Sequence, residues 1–184
     1  MDSLSFQTAK TTEDLQGILD LQQQNHLSTI SAIENGFLFV KHDLETLIKM
    51  QSFAPQVICK DGEEVVAFTL SMTVDCKGDV PALIPMFDVF DQISFKGKKV
   101  SEFNYMVVGQ VCVGQNHRGL GVFDNIYATY RETFKDAFDF AITEISTRNP
   151  RSIRAHSRIG FKEIHQYVDP TGEHWSIVVW DWDS

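Results

Sequence analysis

The sequence is poor in cysteine and has no long apolar run, and each of these scarcities excludes a class of protein. Cys59, Cys76 and Cys112 are odd in number and lack metal-ligand spacing, so we expect free thiols, no disulfide framework and no metal site. The first residues, MDSLSFQTAKTTEDLQ, have neither the basic start nor the apolar core of a signal peptide. No apolar run reaches the length of a membrane span, and a cytoplasmic location is therefore expected by default.

Positive charge is also scarce. The formal net charge is -9 at pH 7, so we expect the outer field of the protein to repel phosphate backbones and to attract cations; no apolar run is long enough for a membrane span. We therefore expect no nucleic-acid or membrane partner. A basic amine is the kind of substrate that this charge favours on approach.

What remains is the composition of a soluble globular protein. The 184 residues are 43% hydrophobic and 22% charged, enough for one well-buried core. The patterns predict a single domain over residues 1–184, of mixed α/β class, with a central mixed sheet of about seven strands flanked by helices.

The order of predicted elements supports that class. Thr11, Asp43 and Asn149 are typical helix N-caps, and Asp61-Gly62 is a hairpin signal. Gly and Pro interrupt residues 75–102, a long insertion that we expect to face a substrate or to act as a lid. The periodicities predict strands at about 4–8, 103–113 and 138–146, helices from Thr11 to about 25, over 83–90 and over 120–138, and a C-terminal hairpin.

A polar turn with spaced glycines joins the strand predicted at 103–113 to the next helix. In VCVGQNHRGLGVF, Gly119 and Gly121 let a ligand approach the main chain, and the helix start presents N–H groups without intrahelical partners. Such a turn suits a phosphate or pyrophosphate, with Arg118 as a charged fork at its rim. Asp124 replaces the third glycine of a dinucleotide fingerprint, and no P-loop is present. By itself, however, the turn equally fits a structural role.

A second motif changes this balance. RGLGVF resembles the Arg/Gln-x-x-Gly-x-Gly/Ala signature of the GNAT superfamily of acetyl-CoA-dependent N-acetyltransferases through Arg118 and Gly121, but Phe123 stands where that signature ends in Gly or Ala. NPRSIRAHSRIGF, from Asn149 to Phe161, resembles the family's Asn followed by a short helix that ends in Gly-Phe. The two motifs occur in the family's order, and the resemblance covers nearly the whole chain.

The resemblance implies acetyl-CoA as co-substrate, bound where two strands of the sheet open into a V. The main chain around Val111, Cys112 and Val113 would bind the pantetheine arm. The turn would bind the pyrophosphate through main-chain N–H groups, and Asn149 and Ser152 would assist near the next helix. The turn residues are Arg118, Gly119, Leu120, Gly121, Val122 and Phe123.

Catalysis by direct attack needs a neutral amine and a protonated or stabilised thiolate, but no enzyme nucleophile. His156 occupies the place of the family's tyrosine and is the candidate acid, although a histidine satisfied by core hydrogen bonds fits equally. Gln110 is a candidate to orient the amine or a water. Glu102 and Glu144 flank the expected cleft, and we expect both to be solvated strand-end residues.

These patterns favour an N-acetyltransferase that moves the acetyl group to a primary amine of a small molecule or peptide. A non-catalytic acyl-CoA-binding sensor or scaffold is the alternative, because no clear base is visible and His156 replaces the family's tyrosine. Transfer of a longer acyl chain and a homodimer also remain open. Trp175, Trp180 and Trp182 alternate as strand residues do, which favours sheet packing, while one of them could form a substrate wall.

Overall fold

A mixed seven-stranded sheet forms the centre of the molecule in the computed structural model, which describes residues 4–31 and 36–183. This confirms the predicted α/β class and the expected number of strands. The strands are β1 Ser5–Thr8, β2 Val57–Asp61, β3 Glu64–Met72, β4 Ser94–Phe95, β5 Lys98–Lys99, β6 Tyr105–Val113, β7 Phe140–Ser146, β8 Lys162–Val168 and β9 His174–Asp181. The helices are α1 Thr12–Asn25, α2 Leu44–Phe53, α3 Ile84–Phe90, α4 Val122–Phe134 and α5 Pro150–Ile159.

The strand order is β1-β2-β3-β6-β7-β9-β8, and β4 and β5 form a separate hairpin. Neighbours in the large sheet are antiparallel except β6 and β7, which are parallel because α4 crosses between them. This confirms the βαβ unit predicted from the sequence.

Side chains at the predicted positions begin and end the helices. Thr11 caps α1 in a capping box with Asp14, and Asp43 accepts a hydrogen bond from the Thr46 N–H at 2.8 Å. Asn149 caps α5, and Gly160 ends that helix with a φ of 114°. The predicted helix over 120–138 is shorter in the structure: it begins at Val122, because Gly121 is in a left-handed conformation, and it ends at Phe134, where a turn leads toward β7.

The sheet separates two apolar layers. The first contains α1, α2 and α3 with side chains of β3, β6, β7 and β9; the second contains α4 and α5 on the opposite face. Along β7, Phe140 and Ile142 belong to the first layer and Ala141 and Ile145 to the second, as strand alternation requires. The 75–102 insertion packs in the first layer, where Leu83, Met86, Phe87 and Phe90 are buried.

The structure also bears on the cysteines, on metal-binding groups and on membrane-spanning helices. Cys59, Cys76 and Cys112 are all buried and free, as expected. Among the residues that the structure describes, no three His, Cys, Asp or Glu side chains form a group able to hold a metal ion. None of the helices in this part of the chain combines the length and the apolar character that crossing a bilayer requires.

Gly17 sets the distance between α1 and the sheet, and we predict that Gly17→Ala destabilises the protein. A Cβ atom at this position would lie 2.7 Å from Val65 Cγ2 and 2.9 Å from Val65 Cβ. The gain in helix propensity, about 1 kcal/mol, is outweighed by an overpacking cost of about 1–3 kcal/mol. Urea denaturation should show a lower free energy of unfolding. In a Val65→Ala background, which removes Cγ2 but keeps the Cβ contact, the same substitution should cost less, and an equal loss in both backgrounds would contradict the proposed contact.

Candidate active site

The parallel strands β6 and β7 separate soon after they meet. They pair from Tyr105 with Phe140 to Val107 with Ile142, and both strands then continue for several residues. At the point of separation the Thr143 hydroxyl donates to the Val108 carbonyl at 2.7 Å. A V-shaped opening therefore lies between the two strands, as the family resemblance implied.

A β-bulge in β6 accompanies this separation. On β3 one residue lies between Thr69 and Ser71, whereas their partners Val111 and Val108 are separated by two residues, Gly109 and Gln110. A bulge bends its strand and increases the local twist. It therefore helps to turn the end of β6 away from β7.

At the end of β6 the main-chain N–H and C=O groups of successive residues point alternately toward β3 and toward the opening. The Gly114 N–H donates to the Val66 carbonyl at 2.8 Å, so Val113, one residue earlier, directs its main chain away from β3. The Val113 carbonyl indeed accepts a hydrogen bond at 3.0 Å from the Arg118 side chain. By the same alternation Val111 faces the opening, whereas the main chain of Cys112 faces β3.

The opening is part of a cavity of about 530 Å³ that passes through the sheet. Residues of both apolar layers line it, so it extends to both faces of the sheet. We call these the α4 side and the α3 side. Cavity residues of the α4 side are Arg118, Gly119, Gly121, Val122, Phe123, Asn149, Ser152 and His156. Cavity residues of the α3 side are Phe37, Phe39, Leu83, Met86, Glu144 and Trp175.

The glycine turn on the α4 side presents main-chain N–H groups. Gly119 and Gly121 have φ values of 80° and 75°, a left-handed conformation that favours glycine, and Gly121 is the N-cap of α4 without a side-chain cap bond. The first helical hydrogen bond of α4 is the one that the Asn125 N–H donates to the Gly121 carbonyl at 3.1 Å. The N–H groups of the preceding residues therefore lie ahead of the helical ladder, at the positive end of the helix dipole.

Two turn residues, Arg118 and Leu120, do not simply lie at the rim of the site. The Arg118 guanidinium donates to the Val113 carbonyl and, at 2.9 Å, to Asn25 Oδ1, and so ties the turn to β6 and α1. Burial and the charge of Arg151 lower the Arg118 pKa. Leu120 is 60% exposed and does not line the cavity.

Phe123 points between α4 and α5. Its ring is half-buried and lies 5.0 Å from the Tyr127 ring and 5.3 Å from the His156 ring, measured between centroids. The large side chain therefore fills the gap between the two helices, although it still contributes to the cavity wall.

His156 is buried with both ring nitrogens bonded. Nδ1 lies 2.8 Å from the Ser152 carbonyl, which can only accept, so Nδ1 carries the hydrogen and donates. The Tyr127 hydroxyl then donates to Nε2 at 2.7 Å. Burial lowers the pKa of His156 to about 4, so the ring is neutral near pH 7. To donate a proton, the ring would have to break one of these bonds.

The other residues predicted around the site are also engaged in hydrogen bonds. Gln110 accepts from Gln22 at 2.9 Å and donates to the Val40 carbonyl at 2.6 Å, so it ties β6 to α1 and to the segment 36–40. Asn149 accepts from the Ser152 N–H at 3.2 Å and donates to the Phe37 carbonyl at 3.5 Å.

The two acidic candidates differ sharply. Glu102 accepts a hydrogen bond from the Lys99 N–H on an exposed turn, and it does not line the cavity. Glu144 lies on the face of β7 that it shares with Ile142, and the Tyr167 hydroxyl donates to its carboxylate. Burial raises the pKa of Glu144 to about 7. The expectation of a solvated residue was therefore wrong for Glu144, since residues distant in sequence enclose it.

Comparison with solved structures identifies the fold. No family model matches the sequence, and no curated protein is similar to it. The ribosomal-protein-S18-alanine N-acetyltransferase from Escherichia coli superposes with a TM-score of 0.64 at 13% identity, over 97% of this chain and 94% of that one. Arabidopsis thaliana NAA60, solved with a bisubstrate analogue, gives a TM-score of 0.63 at 14% identity, over 97% and 98%.

A GNAT-family protein from Desulfovibrio desulfuricans gives a TM-score of 0.62 at 9% identity, over 97% of this chain and 99% of that one. The match extends over nearly the full length of each protein, while the identity is low. The chain therefore has the GNAT N-acetyltransferase fold, which confirms the resemblance noted in the sequence at the level of fold.

The buried pair of His156 and Tyr127 leads to a prediction about stability. His156→Ala should lower the free energy of unfolding by about 2–4 kcal/mol, because it leaves a cavity and a buried hydroxyl without its acceptor. Arg154→Ala, on the exposed surface of the same helix, is the control and should change it by no more than about 0.5 kcal/mol. Urea denaturation measures both. Equal stability of His156→Ala and the wild type would show that the ring is not held as described.

Proposed function

We propose that the protein transfers the acetyl group of acetyl-CoA to a primary amine of a small molecule or peptide by direct attack. The main support is the cavity through the sheet, which connects the N–H-rich start of α4 with the enclosed carboxyl of Glu144. Such an opening lets two substrates enter from opposite faces and meet between β6 and β7. The fold neighbours include an enzyme solved with acetyl-CoA and with a bisubstrate analogue.

Acetyl-CoA would bind from the α4 side. Main-chain N–H groups from Gly119 to Phe123 suit the pyrophosphate, since an anion is stabilised at a helix start. The pantetheine arm would then follow the edge of β6, where Val111 and Val113 direct their main chains into the opening. Cys112 would form part of the wall of the cleft, and its main chain would not bond the arm because it faces β3. Asn149 and Ser152 would border the arm at the start of α5.

Glu144 is the general base in this proposal. A free alkylamine with a pKa of about 10.4 is protonated near pH 7, and its nitrogen cannot attack until one proton leaves. A carboxylate with a pKa of about 7 is basic enough to accept that proton and is still ionised in part of the molecules at neutral pH. The Tyr167 hydroxyl fixes the orientation of the carboxylate.

The chemical step then exchanges an acetyl group for a proton. The neutral nitrogen attacks the thioester carbonyl carbon, the N–C bond forms, and the C–S bond breaks to release the CoA thiolate. The nitrogen loses a further N–H proton as it becomes an amide, and the thiolate takes up a proton to give free CoA. We propose that His156 and Gln110 act as positioning residues. His156 joins α5 to α4, and Gln110 holds the segment 36–40 against β6.

The sensor or scaffold alternative rested on the lack of a visible base and on His156 in place of the family's tyrosine. Glu144 supplies a candidate base inside the cleft, so transfer is the favoured function. Incubation of the protein with acetyl-CoA and a panel of amines, while thiol release is followed, separates the two. Tight acetyl-CoA binding without amine-dependent release across the whole panel would support the sensor.

We predict that Glu144→Gln removes the base without removing cofactor binding. For the wild type, kcat/KM should rise with pH as Glu144 loses its proton and level off above about 7. In the variant this rise of kcat/KM with pH should disappear, and kcat should fall by about 10²–10⁴-fold. Acetyl-CoA affinity, measured by calorimetry, should stay the same. Glu102→Gln is the matched control and should behave as the wild type. A Glu144→Gln variant with the same turnover and the same pH dependence of kcat/KM as the wild type would exclude Glu144 as the base.

A second prediction concerns the glycine turn. Gly121→Val should weaken acetyl-CoA binding by about tenfold or more, because a β-branched residue disfavours a φ of 75° and moves the N–H groups of the turn. Gly62→Val is the control, since Gly62 has a φ of 59° in the hairpin between β2 and β3, outside the cavity. It should lose comparable stability and keep its affinity. Unchanged affinity of the Gly121 variant would count against the phosphate turn.

A further inference from the structure

The acidic charge of the protein does not extend into the cleft. Although the formal net charge is -9, the described residues that line the cavity include the arginines Arg118, Arg151 and Arg158 but only the carboxylates Asp124 and Glu144. Arg158 pairs with Asp124 through two bonds of 2.7 Å. Of the described residues that line the α3 side of the cavity, Glu144 is the only one with a carboxylate. A polyamine, which needs several carboxylates, is therefore a poor match for this lining.

An aromatic wall lies beside Glu144 instead. We use this name for Phe37, Phe39 and Trp175, whose rings meet with centroid distances of 5.1 Å between the phenylalanines and 5.0 Å between Phe39 and Trp175. All three line the cavity, and Phe39 and Trp175 are only half-buried. Leu83 and Met86 contribute further apolar surface from the insertion. An apolar group that enters from the α3 side can therefore lose its contact with water.

Contacts from outside the cavity fix the aromatic wall in place. The Arg148 guanidinium lies 5.8 Å from the Phe37 ring centroid and 5.7 Å from that of Phe39, and Glu173 pairs with it at 2.7 Å. The Trp175 indole N–H donates to Asp169 at 2.9 Å. A wall held in this way loses little conformational entropy when a ligand binds.

The wall and the base have a defined spacing. Glu144 on β7 is opposite Ile177, and Trp175 on β9 is opposite Ser146, so Glu144 and Trp175 are diagonal neighbours on one face of the sheet. Diagonal neighbours on adjacent strands lie about 7–8 Å apart, within reach of long side chains. A nitrogen at the Glu144 carboxylate can therefore belong to a molecule whose apolar group, a few bonds away, contacts the wall.

We propose that the acceptor is a primary amine that carries an aromatic or bulky aliphatic group a few bonds from its nitrogen. This rests on the proposed acetyl transfer and adds the chemical class of the substrate. A free arylalkylamine and the N-terminus of a peptide with a large apolar first residue share this chemistry. The net charge favours a basic amine in general, and the residues inside the cleft favour a basic amine that also carries an apolar group.

The test compares acceptors at saturating acetyl-CoA. The panel contains phenethylamine, propylamine, spermidine, and peptides of one sequence that begin with Phe, Leu, Ser or Lys. Phenethylamine should exceed propylamine and spermidine in kcat/KM by about tenfold or more, and peptides beginning with Phe or Leu should exceed the others by a similar factor. The ratio of phenethylamine to the Phe peptide then distinguishes a free amine from a peptide end.

Phe39→Ala tests the wall itself. The variant should lose about tenfold in kcat/KM for phenethylamine but less than about threefold for propylamine, with an unchanged KM for acetyl-CoA. Phe39→Leu keeps an apolar side chain and should recover most of the loss. Phe53→Ala, which removes a 44% exposed ring outside the cavity, is the control for a general effect of losing a ring.

The outcomes separate this inference from the proposed function. A wild-type preference for spermidine or the Lys peptide, or equal loss for both amines in Phe39→Ala, would overturn the apolar acceptor while acetyl transfer stands. Absence of thiol release with every acceptor would overturn the transfer reaction, and this inference with it.

Discussion

The separation of β6 from β7 is the constraint on which the site depends. Parallel strands that stayed paired would use their main-chain groups on each other and leave no passage through the sheet. Here the pairing ends after Val107 and Ile142, the Thr143 hydroxyl bonds the Val108 carbonyl, and a bulge redirects the rest of β6. The result is a strand edge inside the protein with main-chain groups directed into a cavity that residues of both faces line.

The two sides of this opening present different chemical groups. On the α4 side the contacts are main-chain groups and a helix dipole, which suit an anionic and extended cofactor. On the α3 side they are rings, apolar side chains and one enclosed carboxyl, Glu144, which suit an amine that must lose a proton. Because burial raises the pKa of this carboxyl, the surroundings that would exclude water also make Glu144 basic enough for the proposed proton transfer.

Much of the α4 side could be predicted from the sequence, because its determinants are local. Gly119 and Gly121 indicate a left-handed turn, Asn149 followed by proline indicates a helix start, and both features hold in the structure. The predicted acid, His156, shows the limit of such reasoning. Its position on α5 was readable, whereas the bonds of its ring to Ser152 and Tyr127 depend on how α5 packs against α4.

Periodicity, capping and backbone preferences act within short segments, and they were enough to predict the mixed α/β class, the order of the elements and the glycine turn. The chemistry of the α3 side depends instead on how distant segments pack. Phe39, Glu144 and Trp175 lie more than a hundred residues apart from first to last, and no local pattern places them together. Their proximity results from the strand order β7-β9-β8 and from the hydrogen bonds of Gln110 and Asn149 to the segment 36–40. Burial, which sets the pKa of Glu144, exists only once these distant segments have packed.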